Sequence, residues 1–268
     1  MDVGLNNVVE WLARLTGAVA RLDEDLLLAQ PRYQDARSLA RHRAQMYSQN
    51  GEDGAIAEML NRVGAESMFF VEIGVGNGSQ NNTRFLLQSG WRGIWWEGSP
   101  KSCEVIKQNF ANEIATDQLI LVEGFVTLDN VVEGLINCPE EFDVLSIDID
   151  MNTSHIWRAL DWLKPRVAVI EYNPSMPPVV SCEVPYNPEA AWRGDNDFGA
   201  SLKALEEIGT DLGYSLVGCE LTGINAYFVR NDLVGEKFLP PFTAEHHYEP
   251  PRLHFLTCSR GHPAAKRS

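Results

Sequence analysis

A chain of 268 residues is long for one domain and short for two. Its 44% hydrophobic content is that of a soluble globular protein, and no apolar run approaches the ~20 residues that a membrane span needs. A formal net charge of −15 argues against nucleic acid and against an anionic membrane surface as partners, because both want clustered Lys and Arg.

Met1-Asp2-Val3-Gly4 lacks the basic start and apolar core of a signal peptide, so a cytoplasmic address is expected. The cysteines, 103, 138, 182, 219 and 258, are odd in number and form no Cys-x-x-Cys pair, which speaks against a disulfide framework and against a zinc site. Cys103, Cys138 and Cys219 sit in apolar settings and are expected in the core.

Residues 5 to 29 are expected to be helical, since Val8, Val9, Trp11, Leu12, Leu15, Val19, Leu22 and Leu26 recur at three- and four-residue steps. Pro31 ends that helix or bends it away. A second helix is expected over about 34 to 46, rich in arginine. Residues 1–46 thus form a helical extension: a lid, the contact of a homodimer, or a brace on the core. A polar turn follows, Tyr47 to Gly54, in which Asp53 is placed to cap a helix carrying Ile56, Met59, Leu60 and Val63. Ser48 and Gln49 of this turn are candidates for the rim of a ligand pocket.

Phe69 to Ile73 reads as a short buried strand, and Gly74-Val75-Gly76-Asn77-Gly78 lets the chain turn sharply and bring bare backbone to a ligand. A polar run and then Phe85, Leu86 and Leu87 complete a strand–glycine turn–helix opening, whose helix start favours an anionic or polar ligand. A dinucleotide fingerprint would require Gly-x-Gly-x-x-Gly, and Ser79 stands where its third glycine belongs. Further strands are expected at 93–97, 119–122, 142–148 and 166–171, with helices at 100–110, 128–136 and 153–163 between them. Such alternation implies a parallel sheet covered on both faces. Residues 174 to 197 carry Pro174, Pro177, Pro178, Pro185 and Pro188, too long and Pro-rich for a routine connection. They leave the carboxyl end of a strand, where open α/β sheets bind ligands, and are expected to form a substrate loop. A helix at 200–212 leads to two close strands, 214–219 and 226–229, which should pair antiparallel. Residues 239–268 read as an arm ending in a loose tail, with Glu245 to Glu249 solvated. The main domain is thus expected over 47–238.

Several strand ends carry chemistry. Glu97, about 20 residues past the glycine loop, is placed to accept hydrogen bonds from ribose hydroxyls, with Gly98 and Ser99 along the nucleoside edge. Phe125 either packs on the base or belongs to the core. Asp148, Asp150, Glu171 and Asn173 end two neighbouring strands, so three carboxylates and an amide converge on one edge. Like charges brought together want a cation or a retained proton. Oxygen-only ligands suit a hard ion such as Mg²⁺, Ca²⁺ or Mn²⁺. The alternative is a set of acids hydrogen-bonded to ligand and helix ends, with no ion. Asp148 and Asp150, two apart, would share a face in a straight strand. His155, at the start of the following helix, is a candidate base kept neutral by the helix N-terminus, or else a surface residue.

Glu72-x-Gly74-x-Gly76-x-Gly78 resembles the first motif of class I S-adenosylmethionine (SAM) methyltransferases. The resemblance implies a ligand with an amino-acid tail, its ammonium for an acid such as Glu72, and no pyrophosphate. It also implies an α/β, Rossmann-like fold: a seven-stranded, mostly parallel sheet with a terminal antiparallel strand. Gly74, Gly76, Asn77, Gly78, Glu72, Ser48, Glu97, Gly98, Ser99, Phe125 and Asp148 are then the cofactor contacts, with Ser48 and Gln49 near the methionine carboxylate. Over 47–230 the chain is similar to the FkbM-type methyltransferases, in Ser48-Gln49-Asn50-Gly51-Glu52-Asp53, Asn82-Thr83-Arg84-Phe85-Leu86 and Gly90-Trp91-Arg92-Gly93. The strand-end acids resemble those of divalent-metal-dependent O-methyltransferases. That likeness implies Asp148 as metal ligand with Glu171 and Asn173 completing the set, and Asp150 as general base, although Tyr172 separates two residues that are adjacent in those families. The implied activity is methyl transfer to a hydroxyl of a small molecule, a sugar or natural-product scaffold. The rivals are a nicotinamide-dependent oxidoreductase and a non-catalytic SAM-fold subunit.

Overall fold

The computed structural model describes residues 2–252 of the chain. Seven strands form one sheet: β1 Phe69–Ile73, β2 Arg92–Glu97, β3 Leu119–Glu123, β4 Glu141–Ile147, β5 Lys164–Glu171, β6 Tyr214–Cys219 and β7 Asn225–Arg230. Their order is β3-β2-β1-β4-β5-β7-β6. The first five run parallel, and β7, the last in the chain, inserts antiparallel between β5 and β6. The fold is α/β and Rossmann-like, as expected. The helices are α1 Asp2–Leu28, α2 Glu52–Val63, α3 Arg84–Gln88, α4 Pro100–Asn109, α5 Ala111–Ala115, α6 Val131–Gly134, α7 Thr153–Ala159, α8 Leu202–Leu212, α9 Asn231–Val234 and α10 Ala244–His247.

Alternate residues of each central strand go to opposite faces, and both faces are buried. Val71, Ile73, Leu145, Ile147, Ala168 and Ile170 pack on one side with Ile156, Trp157, Leu205 and Ile208 of α7 and α8. Phe70, Val144, Val167 and Val169 pack on the other with Ile56, Met59 and Leu60 of α2. The chain leaves β1 toward β2 on one side and reaches β4 on the other, so a crevice opens above the carboxyl ends of β1 and β4, where such sheets take ligands. No described helix is long and apolar enough to cross a membrane.

The second N-terminal helix expected at 34–46 is absent. One single turn of 3₁₀ helix, Ala40–His42, stands in that span, and another, Pro31–Tyr33, precedes it. The arginines there are spent on tertiary contacts: Arg43 bonds the Asn50 carbonyl at 2.6 Å and pairs with Glu24 and Glu220, and Arg37 pairs with Asp35. Glu245 to Glu249 are not a solvated tail either. His247 and Glu249 are buried, and the Glu249 carboxylate accepts from Tyr33, Arg32 and Arg252. The rest of the expected tail, from residue 253, lies outside the described residues.

Candidate active site

The glycine loop is shaped by what surrounds it. Gly74 has φ +88°, and a Cβ there would lie 1.8 Å from the Asp148 carbonyl oxygen. The close approach of β1 to β4 therefore demands a bare backbone. Gly76, at φ +56°, faces open space; Gly78 backs onto Trp95 and Phe110 and lines neither cavity described below. The loop does not run straight into a helix: α3 begins only at Arg84, and the N–H groups just before it are already satisfied. Glu72, fully buried, accepts from Asn82 N at 2.7 Å and Thr83 N at 2.9 Å, and from the side chains of Asn81 at 2.6 Å and Thr83 at 2.5 Å. Burial pushes its carboxyl above the ordinary range and these donors oppose the shift. The expected anion site at a helix start is thus filled by the protein's own carboxylate, which leaves no place there for a pyrophosphate.

Two cavities open along this loop. One, of about 280 Å³, is lined by Trp96, Glu97, Gly98, Ser99, Phe125, Asp150 and Asn152, and is roofed by Ala190, Ala191 and Trp192 of the loop 174–197. Glu97 Oε1 accepts from Ser99 N at 2.7 Å, and Ser99 Oγ caps α4. Phe125 is 70% exposed and lies against Gly98, so it belongs to the cavity wall and not to the core. Trp96, Phe125 and Val126 give it apolar lining beside the carboxylates of Glu97, Asp148 and Asp150, a combination that suits a nucleoside. The other cavity, of about 320 Å³, is lined by Gln49, Asn50, Glu52, Glu72, Asn77, Asn81, Asn82 and Asn225. Gly74, Gly76 and Asp148 line both, so one ligand lying across the glycine turn would occupy the two.

Ser48 is not at the rim. It is fully buried, and its Oγ accepts from Asp53 N at 3.1 Å to start α2, while Asp53 Oδ2 gathers the N–H groups of Met46, Tyr47 and Ser48. Its neighbours Gln49, Asn50 and Glu52 line the cavity in its stead. Asn50 and Glu52 were within reach of sequence reasoning, since they share the polar turn with Ser48. Asn225 begins β7, 173 residues from its partner Glu52, and carries no local signal.

Asp148 sits where the cavities join. Burial, then the carboxylates of Asp150, Glu52 and Glu72, push its carboxyl up to about 7, against a hydrogen bond with Glu171. Glu171 is driven well above the usual carboxylate range by burial, Asp148 and Asp150. The Asp148–Glu171 pair therefore holds a proton in common. Asp150 adopts φ +58°, beyond the end of β4, and its N–H donates to Glu171 Oε2 at 2.8 Å, so it does not share a strand face with Asp148.

The implied metal ligands do not assemble. Asn173 donates to the carbonyls of Asn196 and Phe198, and its oxygen accepts from Ser175 N, so the whole amide is spent in closing the loop 174–197. Glu171 Oε2 takes Asp150 N and the Thr153 hydroxyl. Among the described residues no group of three or more His, Cys, Asp or Glu is placed to hold an ion. His155 lies outside both cavities. Its Nε2–H donates to the Val184 carbonyl at 2.8 Å and its ring meets Tyr186 edge-on, so it pins the loop instead of facing the reaction.

No family model matches the sequence, and no curated protein matches it either. Among solved structures, the chain is similar to a Klebsiella pneumoniae protein assigned as an O-methyltransferase, at 18% identity and a TM-score of 0.47, over 82% of this chain and 99% of that one. It is also similar to the O-methyltransferase of Bacillus cereus solved in complex with SAH, at 21% identity and a TM-score of 0.39, over 59% and 73%. A third likeness is to the precorrin-6y C5,15-methyltransferase of Geobacter metallireducens, at 19% and 0.38, over 65% and 84%. At TM-scores below 0.5 these likenesses decide nothing about the site, whose chemistry is set by the residues described above.

Proposed function

We propose that the protein is a SAM-dependent methyltransferase acting on a hydroxyl oxygen of a small polar acceptor, a sugar or natural-product scaffold. The observation that carries this reading is the pair of cavities joined at Gly74, Gly76 and Asp148, one suited to a nucleoside and the other lined mostly by amides and acids. A self-satisfied Glu72 supports SAM over a dinucleotide, because the phosphate position is taken. The residues present fit SAM: Glu97 for the ribose hydroxyls, Phe125 and Gly98 for the base, and the bare Gly74–Gly76 backbone between the cavities.

When bound, the cofactor would supply a methyl group activated on a sulfonium for transfer to a hydroxyl oxygen of the acceptor, its sulfur leaving as the neutral thioether. Asp148 is the group placed to take the acceptor's proton, since its carboxyl titrates near neutral pH. Glu171 stays hydrogen-bonded to it, and the pair, which carries one proton and one negative charge beforehand, is neutral once it has taken the second proton. Trp192, Ala190 and Ala191 of the loop 174–197 line the nucleoside side. Asp150, on the nucleoside side only, is assigned to ligand contact and not to proton transfer. Transfer of labelled methyl from SAM to a panel of polyhydroxylated acceptors tests the reading. Asp148→Asn should lose turnover at least 100-fold while keeping SAH affinity; full turnover in that variant would remove Asp148 as the base.

A further inference from the structure

We propose that the arm following α10 is a positioning device for the reacting edge: through Tyr172 and Tyr248 it fixes the end of β5, and with it the Glu171 carboxylate. Tyr172 stands between Glu171 and Asn173 in the chain. Its ring packs in the core that holds Ala168 and Ile170, and its hydroxyl donates to the Glu249 carbonyl at 2.6 Å. The Tyr248 hydroxyl donates to the Pro174 carbonyl, and the two rings meet edge-on at 6.5 Å. The arm thus bonds the chain on both sides of Asn173.

Such a device works only if the arm is itself held. The buried Glu249 carboxylate accepts from Tyr33 at 2.9 Å, Arg32 at 3.0 Å and Arg252 at 2.6 Å, bonds strengthened by its charge. The arm's backbone is held as well. Arg252 N donates to the Thr222 carbonyl at 2.9 Å. A Cβ on Gly223, at φ +80°, would lie 2.7 Å from the Glu249 carbonyl oxygen, so a bare glycine in the β6–β7 turn is what lets the arm lie there.

What the end of β5 carries gives the reason for holding it. Glu171 faces the acids Asp148 and Asp150, and no Lys, Arg or His lines either cavity. Like charges push such groups apart, and no cation draws them together. The carboxylate nevertheless accepts from Asp150 N at 2.8 Å and from the Thr153 hydroxyl at 3.2 Å. Keeping those distances falls to the strand. Its sheet register ends at Glu171, opposite Asn225. Past that point the chain is held by backbone bonds from Tyr172 N to Ile224 and from Asn173 N to Ala200, by the Asn173 amide, and by the arm. The inference rests on the methyltransferase reading for what this edge does, and not for how it is held.

Hydrogen exchange of the Asp150 amide, followed by NMR on the ligand-free protein, reads the position of Glu171 from outside β5, because that N–H donates to Glu171 Oε2. Tyr172→Phe and Tyr248→Phe each remove one hydroxyl and should speed this exchange about tenfold. Tyr214→Phe is the matched control. Its hydroxyl also donates to a β5 carbonyl, that of Pro165 at 2.8 Å, but at the other end of the strand, so the Asp150 amide should stay within about twofold of wild type. In the methyl-transfer assay the first two variants should lose about tenfold in kcat with the KM for SAM within about twofold, and Tyr214→Phe should keep both. Exchange at Asp150 that is equal in all four proteins, or raised alike in all three variants, would overturn the positioning, as would an unchanged kcat where exchange is fast. A wild type that transfers methyl to no acceptor would remove the methyltransferase reading; the exchange rates, measured without ligand, would still decide whether the arm holds Glu171.

Discussion

Replacing Glu72 by Gln asks whether the protein's own carboxylate organises the loop. In the wild type one oxygen accepts from Asn82 N at 2.7 Å and the other from Asn81, Thr83 N and the Thr83 hydroxyl. The hydroxyl in turn accepts from Trp95 Nε1 at 2.8 Å, so its proton is committed to Glu72. An amide can keep its oxygen on the three-donor side only by setting its NH₂ against Asn82 N. That loses one charge-assisted bond and weakens the rest, about 3 to 4 kcal/mol. Removing a buried charge returns part of this, because burial already pushes the Glu72 carboxyl up. A net loss of roughly 2 to 3 kcal/mol remains, which for a chain of this size lowers Tm by about 5 to 10 °C. Thermal unfolding followed by circular dichroism measures it, and SAH titration of the same variant should show weaker binding through the displaced loop. An unchanged Tm together with unchanged SAH affinity would refute the reasoning.

The other expectations follow from the same geometry. Gly74→Ala sets a methyl 1.8 Å from the Asp148 carbonyl at φ +88°, and should cost more than ~4 kcal/mol or abolish soluble expression; a stable, SAH-binding variant would contradict the close approach. On the proposed reading, which sets the cationic sulfur of SAM beside Asp148, SAM should bind up to tenfold more tightly per pH unit as pH rises toward 7 and then level off, while SAH with neutral sulfur changes less; parallel titration curves for the two would break the link to Asp148. A carboxyl raised from 3.8 to about 7 in the folded state binds more protons there than when unfolded, so its contribution to stability falls as pH climbs from about 4 to 7. Chelation should leave turnover within about twofold, because Asn173 and Glu171 are committed to protein donors; reactivation by added Mg²⁺ after chelation would show a ligand set this arrangement does not offer.

What could be read from the residues was what local pattern carries. The apolar runs of β1 to β5 and the glycines of the loop declare themselves by spacing, and so does the convergence of Asp148, Asp150 and Glu171 at adjacent strand ends. What local pattern does not carry is who hydrogen-bonds whom across the fold. Glu72 looks like a ligand contact until Asn81, Asn82 and Thr83, nine to eleven residues on, fold back over it. Asn173 looks like a metal ligand until Asn196 and Phe198 take its amide. His155 looks like a base until the loop 174–197 lays Val184 on its ring nitrogen. Asn225 gave no sign at all, because its meaning comes only from Glu52 across the sheet. The span 34–46, rich in arginine, reads as a helix, yet the pairs of Arg43 with Glu24 and Glu220 across the fold and the local pair of Arg37 with Asp35 hold it without one.

Native mass spectrometry of the purified protein with SAM, SAH and NAD in turn is the most direct test of the claim that the glycine turn carries a sulfonium nucleoside between two cavities. One molecule of SAM or SAH per chain, lost in Gly76→Val and not displaced by excess NAD, is the result expected. Retention of NAD alone, or SAM binding that survives Gly76→Val unchanged, would contradict it.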